Sequence, residues 1–169
     1  VPGMANTVDV TIQQAWRRTF FSSPNVNAVV NTGSLSIQGQ GSRTINLTVT
    51  SINAAEDWFF GTFTTRITFP GPGTYNLNYS SCCRIGALSN NANGNFRNET
   101  VVTIGNGNNG PNSTVTPIIN MQTGQVGATF QIPATDPDGD PLSFRLATTA
   151  ETSALTPAPG FSVSPTGLA

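Results

Sequence analysis

The chain of 169 residues contains no histidine and no lysine, so all seven of its basic residues are arginine. Without histidine, the usual base that activates a serine or cysteine nucleophile is missing, and the common hydrolytic constellations cannot be assembled. Charge of either sign is scarce: charged residues make up 9% of the chain and the net charge is −1, against about 25% charged residues in an ordinary domain. A surface for duplex nucleic acid needs a basic face, and this composition cannot build one. Cysteine is confined to the adjacent pair Cys82 and Cys83, which excludes a disulfide framework and any C-x-x-C metal or redox motif. No apolar run approaches the length of about 18 residues that a membrane helix needs, so insertion into a membrane is not expected. No basic segment leads into an apolar one, so no signal peptide is visible. The opening Val1-Pro2-Gly3 reads as the start of a mature or excised piece.

What remains is rich in Thr, Asn, Ser, Gln and Gly, with ten Phe and two Trp to supply a core. A surface so close to neutrality lacks the mutual repulsion that keeps proteins apart, which favours self-association. Apolar and polar residues alternate over Val8–Gln13, Ile45–Thr50 and Tyr75–Tyr79, as in half-buried strands. Phe59–Phe69 is a longer β-type run, with Phe63, Ile67 and Phe69 expected inward, and Thr100–Ile104 closes the series. Turn-rich segments separate the runs at 23–25, 39–42, 70–73 and 90–94. Ala54-Ala55-Glu56-Asp57 has room for one helical turn. The pattern predicts an all-β protein with a β-sandwich over 1–104. Residues 105–113, rich in Gly and Asn, read as a linker. A second unit is expected over 114–169, with strands at 129–132 and 142–146. It is shorter than the roughly 100 residues of a full immunoglobulin-like sandwich, so a unit cut short is the expectation.

Three groups of residues are candidates for a site. In Asp136-Pro137-Asp138-Gly139-Asp140-Pro141, three carboxylates fall within five residues. Such a cluster repels itself unless water, backbone donors or a cation compensate it. One reading is a Ca²⁺ site built from Asp136, Asp138 and Asp140. The other is an Asp-rich turn whose side chains cap backbone donors. An EF-hand is ruled out, because the loop positions that require Gly and Glu hold Pro141 and Ala147.

Cys82 and Cys83 are the second group. Adjacent Cα atoms lie about 3.8 Å apart across a trans peptide, whereas ordinary disulfides want about 4.4–6.8 Å. A vicinal disulfide therefore needs a distorted or cis peptide; reduced thiols and a cross-link between chains are the alternatives. The third group is aromatic and cationic. Trp16, Trp58 and Arg84 are candidates for a ligand-binding face, against the plainer reading of aromatic core covered by arginine stems. Glu56 and Asp57 are not a glycosidase pair, since neighbours on a strand face opposite ways. Four N-x-[ST] sequons begin at Asn46, Asn78, Asn98 and Asn112, a weak hint in a chain so rich in Asn and Thr.

Phe130-Gln131-Ile132-Pro133, the block from Asp136 to Leu146 and Pro159-Gly160-Phe161-Ser162-Val163-Ser164-Pro165-Thr166-Gly167-Leu168 together resemble the cadherin-like and immunoglobulin-like repeats of large secreted bacterial proteins. Ile67–Tyr79, with its Pro-Gly-x-Tyr turn, looks like the strand-turn-strand of PKD-type repeats. The resemblance implies a secreted or cell-surface location and an architecture: an immunoglobulin-like β-sandwich over 1–104 followed by an incomplete Ig- or cadherin-like unit over 114–169. The expected role is that of a non-enzymatic structural or adhesive module, in an adhesin, a stalk or a filament. An incomplete sandwich would leave an open edge through which copies share strands. The alternative is a carbohydrate-binding module of a secreted enzyme. Expected partners are other copies, extracellular proteins or glycans.

Overall fold

The structure, a computed structural model, describes residue 1, residues 3–121, residue 124 and residues 127–169. The fold is all-β, a curled antiparallel sheet of the sandwich kind, and among the described residues no α-helix occurs. The strands are β1 (Thr7–Arg17), β2 (Val29–Ile37), β3 (Gly41–Asn53), β4 (Trp58–Thr68), β5 (Gly73–Ser81), β6 (Phe96–Ile104), β7 (Asn112–Ser113) and β8 (Ala134–Thr135). A single 3₁₀ turn, Arg18–Phe21, follows β1. Among the described residues no helix is long and apolar enough to cross a membrane.

The chain divides into two compact units: Val1–Tyr75 with Thr103–Asn106, and Asn76–Val102 with Gly107–Ala169. In the first, β1 pairs with β4, β4 with β3 and β3 with β2, all antiparallel. Strand β3 states the rule of its construction: Ile45, Leu47 and Val49 are completely buried, while Thr44, Asn46, Thr48 and Thr50 between them are exposed. The period of two follows from the pleat. Leu35, Ile37, Phe59, Ile67 and Phe69 join the buried set, and burying each such side chain contributes roughly 1.5–3 kcal/mol relative to exposure. Phe63, expected inward, is half-buried.

Two features interrupt the regular ladder. Strand β2 shifts register between Asn31 and Ser34, where Gly33 takes φ 118 and its N–H donates to Asn31 Oδ1 at 3.0 Å. Glycine supplies the backbone freedom that such a bulge uses. Gly61, on β4, is buried because the β3 backbone passes directly over it: an added Cβ would lie 2.6 Å from Thr48 O and 2.9 Å from the Leu47 side chain.

The expected helical turn at 54–57 is the connection from β3 to β4. Asn53 Oδ1 accepts the N–H groups of Ala55 and Glu56, at 3.0 and 3.1 Å, and Asp57 closes the turn with φ 56. Asn and Asp suit these positions because a short polar side chain can satisfy nearby backbone and tolerate the left-handed region. After β4, Tyr75 stacks on Phe69 with ring centroids 4.3 Å apart and donates its hydroxyl to Gly71 O, pinning the Pro-Gly-Pro-Gly turn.

In the second unit β7 pairs with β8 in a short antiparallel ladder. Phe130 exchanges backbone hydrogen bonds with Ala169, and Ile132 N–H donates to Gly167 O, so the expected strand at 129–132 has its partner in the closing segment. The expected strand at 142–146 alternates in burial, with Leu142, Phe144 and Leu146 half-buried, but carries no ladder. Its Phe144 N–H donates to Pro165 O.

Candidate functional site

The corner where β1 ends and β4 begins gathers most of the aromatic and charged side chains of the first unit. Arg17 is the register partner of Trp58, and Trp16 that of Phe59. Because Phe59 is completely buried, the pleat turns Trp16 toward the same inner side and Trp58 toward the outer one. Trp16 meets Phe21 edge-on at 5.4 Å, and Phe21 meets Phe59 at 5.7 Å. These geometries are the edge-to-face contacts that aromatic quadrupoles prefer. Trp16 is half-buried at the margin of the core, with its Nε1 donating to Gln14 Oε1 at 3.0 Å. Trp58 faces out beside Arg17, its Nε1 donating to Glu56 Oε2 at 2.7 Å. Phe20, on the 3₁₀ turn, is 62% exposed and packs edge-on against Phe21.

Hydrogen bonds to Asp57 and Arg18 fix this corner. Asp57 accepts from the Thr19 hydroxyl at 2.6 Å and the Thr19 N–H at 2.9 Å, and its own carbonyl accepts from Arg18 N–H. The Thr19 hydroxyl bond, helped by Thr19 N–H and by Arg17 and Arg18, holds the Asp57 carboxyl below the usual aspartate value. Arg18 donates to the carbonyls of Pro24 and Ser23 and to Asn25 Oδ1. It is a clasp on the loop, whereas Arg17 extends into solvent with its Nε 4.0 Å from Asp57 Oδ2. Such an exposed pair contributes little to stability. It leaves the guanidinium available for contact.

Cys82, Cys83 and Arg84 lie in the second unit, in the loop after β5. Cys82 and Cys83 are joined as a vicinal disulfide across a cis peptide, with Cα atoms 3.3 Å apart. Arg84 is half-buried; its N–H donates to Gly94 O at 3.1 Å, and its buried Nε has no hydrogen-bond partner. Trp16 and Trp58 therefore belong to one unit and Arg84 to the other.

The aspartates occupy an amide-lined turn. Asp136 Oδ1 accepts the N–H groups of Asp138 and Asp140, at 2.9 and 3.2 Å. Asp138 accepts from the backbone N–H of Asn109 at 2.5 Å and from its side-chain amide at 3.0 Å. These bonds hold the Asp138 carboxyl below its usual value, the backbone one most strongly. The Asn108 amide nitrogen, in the orientation that satisfies its neighbours, donates to Asp138 Oδ2 and Asp140 Oδ2, each at 2.9 Å. Asn108 and Asn109 were invisible as functional residues in the sequence, where they read only as linker. Among the described residues, no three acidic, cysteine or histidine side chains converge as a set of metal ligands.

The class this architecture defines is an all-β domain of the sandwich kind, offering an aromatic and arginine corner at one sheet end. Comparison with known proteins narrows it. A family model described as Integrin beta-like protein A-E, N-terminal, matches residues 2–105, and the chain belongs to that family. It is 34% identical to Integrin beta-like protein A of Dictyostelium discoideum over 164 residues, which is 86% of this chain and 8% of that protein. To Integrin beta-like protein C of the same organism it is 38% identical over 112 residues, 60% of this chain and 6% of that protein. To Integrin beta-like protein E it is 29% identical over 156 residues, 83% of this chain and 8% of that protein. The chain thus spans less than a tenth of the length of the curated relatives it matches. No solved structure gives a significant match.

These relatives correct the expectation of a bacterial protein. The Asp-Pro-Asp-Gly and Pro-Gly-x-Tyr segments that suggested one are built from residues whose backbone preferences suit turns in any lineage.

Proposed function

We propose that this chain is an extracellular, non-enzymatic adhesion module of a cell-surface protein. Its membership of the integrin beta-like family carries this reading. The all-β fold supports it, since such folds present loops and sheet faces for contact. We place the contact surface at the corner of Trp58, Arg17 and Phe20, because it combines an outward indole, a solvent-facing guanidinium and an exposed phenyl ring. Trp and Arg are the residue types that most often dominate binding energy at protein interfaces. The family match ends at residue 105, which supports a module over 1–104 followed by a linker over 105–113 and a second unit over 114–169.

The test is adhesion of Dictyostelium cells to beads coated with the 169-residue chain, alongside Trp58→Ala and Arg17→Ala variants. Each substitution is expected to lower bead capture several-fold while the far-ultraviolet spectrum stays unchanged. Capture indifferent to both variants would reject the corner as the contact surface. The same variants on a glycan array separate protein from carbohydrate partners: glycan binding that vanishes in Trp58→Ala would favour a carbohydrate module. Surface staining of intact cells with an antibody to the chain tests the extracellular placement by itself.

A further inference from the structure

The four sequons are not equivalent once folded. Asn46 lies on β3 between completely buried Ile45 and Leu47, and it and Thr48 are both exposed. In a strand, residues i and i+2 share a face, so the acceptor amide and the hydroxyl of this sequon stand together in solvent. Asn98 and Thr100 on β6 are also both exposed, as are Asn112 on β7 and Thr114 just after it. Asn78 differs. It is half-buried on β5 beside buried Leu77 and Tyr79. Its Nδ2, the atom a glycan would occupy, donates to Asn76 Oδ1 at 3.3 Å. Asn76 in turn donates to Glu99, which also receives Arg97. A glycan on Asn78 would leave its Nδ2 a single hydrogen for the bond to Asn76 and force a bulky polar group against the half-buried strand face, crowding this chain of hydrogen bonds.

We infer that Asn46, Asn98 and Asn112 are N-glycosylated and that Asn78 is not. The inference rests on the extracellular reading, because the donor is a lipid-pyrophosphate-linked oligosaccharide of the secretory pathway. At each site the amide Nδ2 attacks the anomeric carbon of the first sugar. A C–N bond forms, the C–O bond to the pyrophosphate breaks, the amide loses one proton, and the lipid pyrophosphate leaves.

The 169-residue chain, secreted from eukaryotic cells behind a heterologous leader, is treated with peptide N-glycosidase in H₂¹⁸O and mapped by mass spectrometry. Asn46, Asn98 and Asn112 are expected to appear as ¹⁸O-labelled Asp and Asn78 as unmodified Asn. Asn46→Gln, Asn98→Gln and Asn112→Gln should each remove one glycan from the intact mass, and Asn78→Gln should remove none. Thr48→Val, which ends the first sequon without touching Asn46, should match Asn46→Gln. Label at Asn78, or its absence from any of the other three, would overturn the assignment. The leader forces entry to the secretory pathway, so this outcome is independent of where the natural protein resides, which the staining of intact cells decides.

Discussion

Gly61 is the residue on which the packing of β3 against β4 depends most directly. The hydrogen bonds of the ladder bring the Thr48 carbonyl and the Leu47 side chain to where any Cβ would stand, at 2.6 and 2.9 Å. Real side chains do not tolerate such distances from a backbone oxygen, so the strands must separate locally. Gly61→Ala is expected to destabilise the chain by about 1–3 kcal/mol, the usual cost of overpacking a tight site, with chemical denaturation as the measurement. An unchanged midpoint would mean that the strands part freely here. The sequence gives no hint of this role, because a glycine inside a β-run has the same letters whether it marks a bulge, a weak point or a close approach. Trp58 was legible as a candidate, yet its difference from Trp16 was not. That difference depends on register, and register depends on which strand lies opposite.

At the scale of elements, the runs over 8–13, 45–50, 75–79 and 100–104 fall within β1, β3, β5 and β6, and the run over 59–69 lies within β4 except for Phe69, one residue past its end. Strand β2 escaped, for a physical reason. Its bulge at Gly33 puts Gly33 and Ser34 in succession on the exposed side and resets the alternation before Leu35 and Ile37. A period-two reading sees two short fragments there and a Gly-Ser break. Residues 142–146 err the other way, since a strand pattern does not make a ladder without a neighbour to pair with. The acidic turn was legible as a charge problem, but not its compensation: the amides of Asn108 and Asn109 reach Asp138 and Asp140 from 29 or more residues away in sequence. Because amide donors already face these carboxylates, removing Ca²⁺ with a chelator is expected to leave the melting temperature of the chain unchanged. A fall in that temperature would place a stabilising cation at Asp136, Asp138 and Asp140.

For the whole molecule, the acid response rests on a few solvent-exposed carboxylates, each contributing modestly. Asp9 is held low by the hydrogen bonds from Arg66, Asp57 by those from Thr19, Asp138 by those from Asn109 and Glu151 by those from Arg145 and Thr148. Each is depressed in the folded state relative to an unfolded value of about 4. Their stabilisation is therefore fully present above that value and is lost as the pH falls through the folded values. The melting temperature should stay nearly level from neutral pH to about pH 5 and decline steadily below about pH 4. Circular dichroism against temperature across that range is the check, and a chain that melts higher in acid would contradict it. The all-β class was readable from composition and periodicity. The lineage was not, since turns obey the backbone and not ancestry.

The two indoles set on opposite sides of one strand pair have a practical consequence. On the proposed contact surface a partner would meet Trp58, while Trp16 stays on the inner side, edge-on to Phe21. The chain therefore carries two optical reporters on opposite faces, one at the proposed contact corner and one beside the core. Single-tryptophan versions of the molecule would let occupancy and unfolding be followed separately in the same fluorescence cuvette.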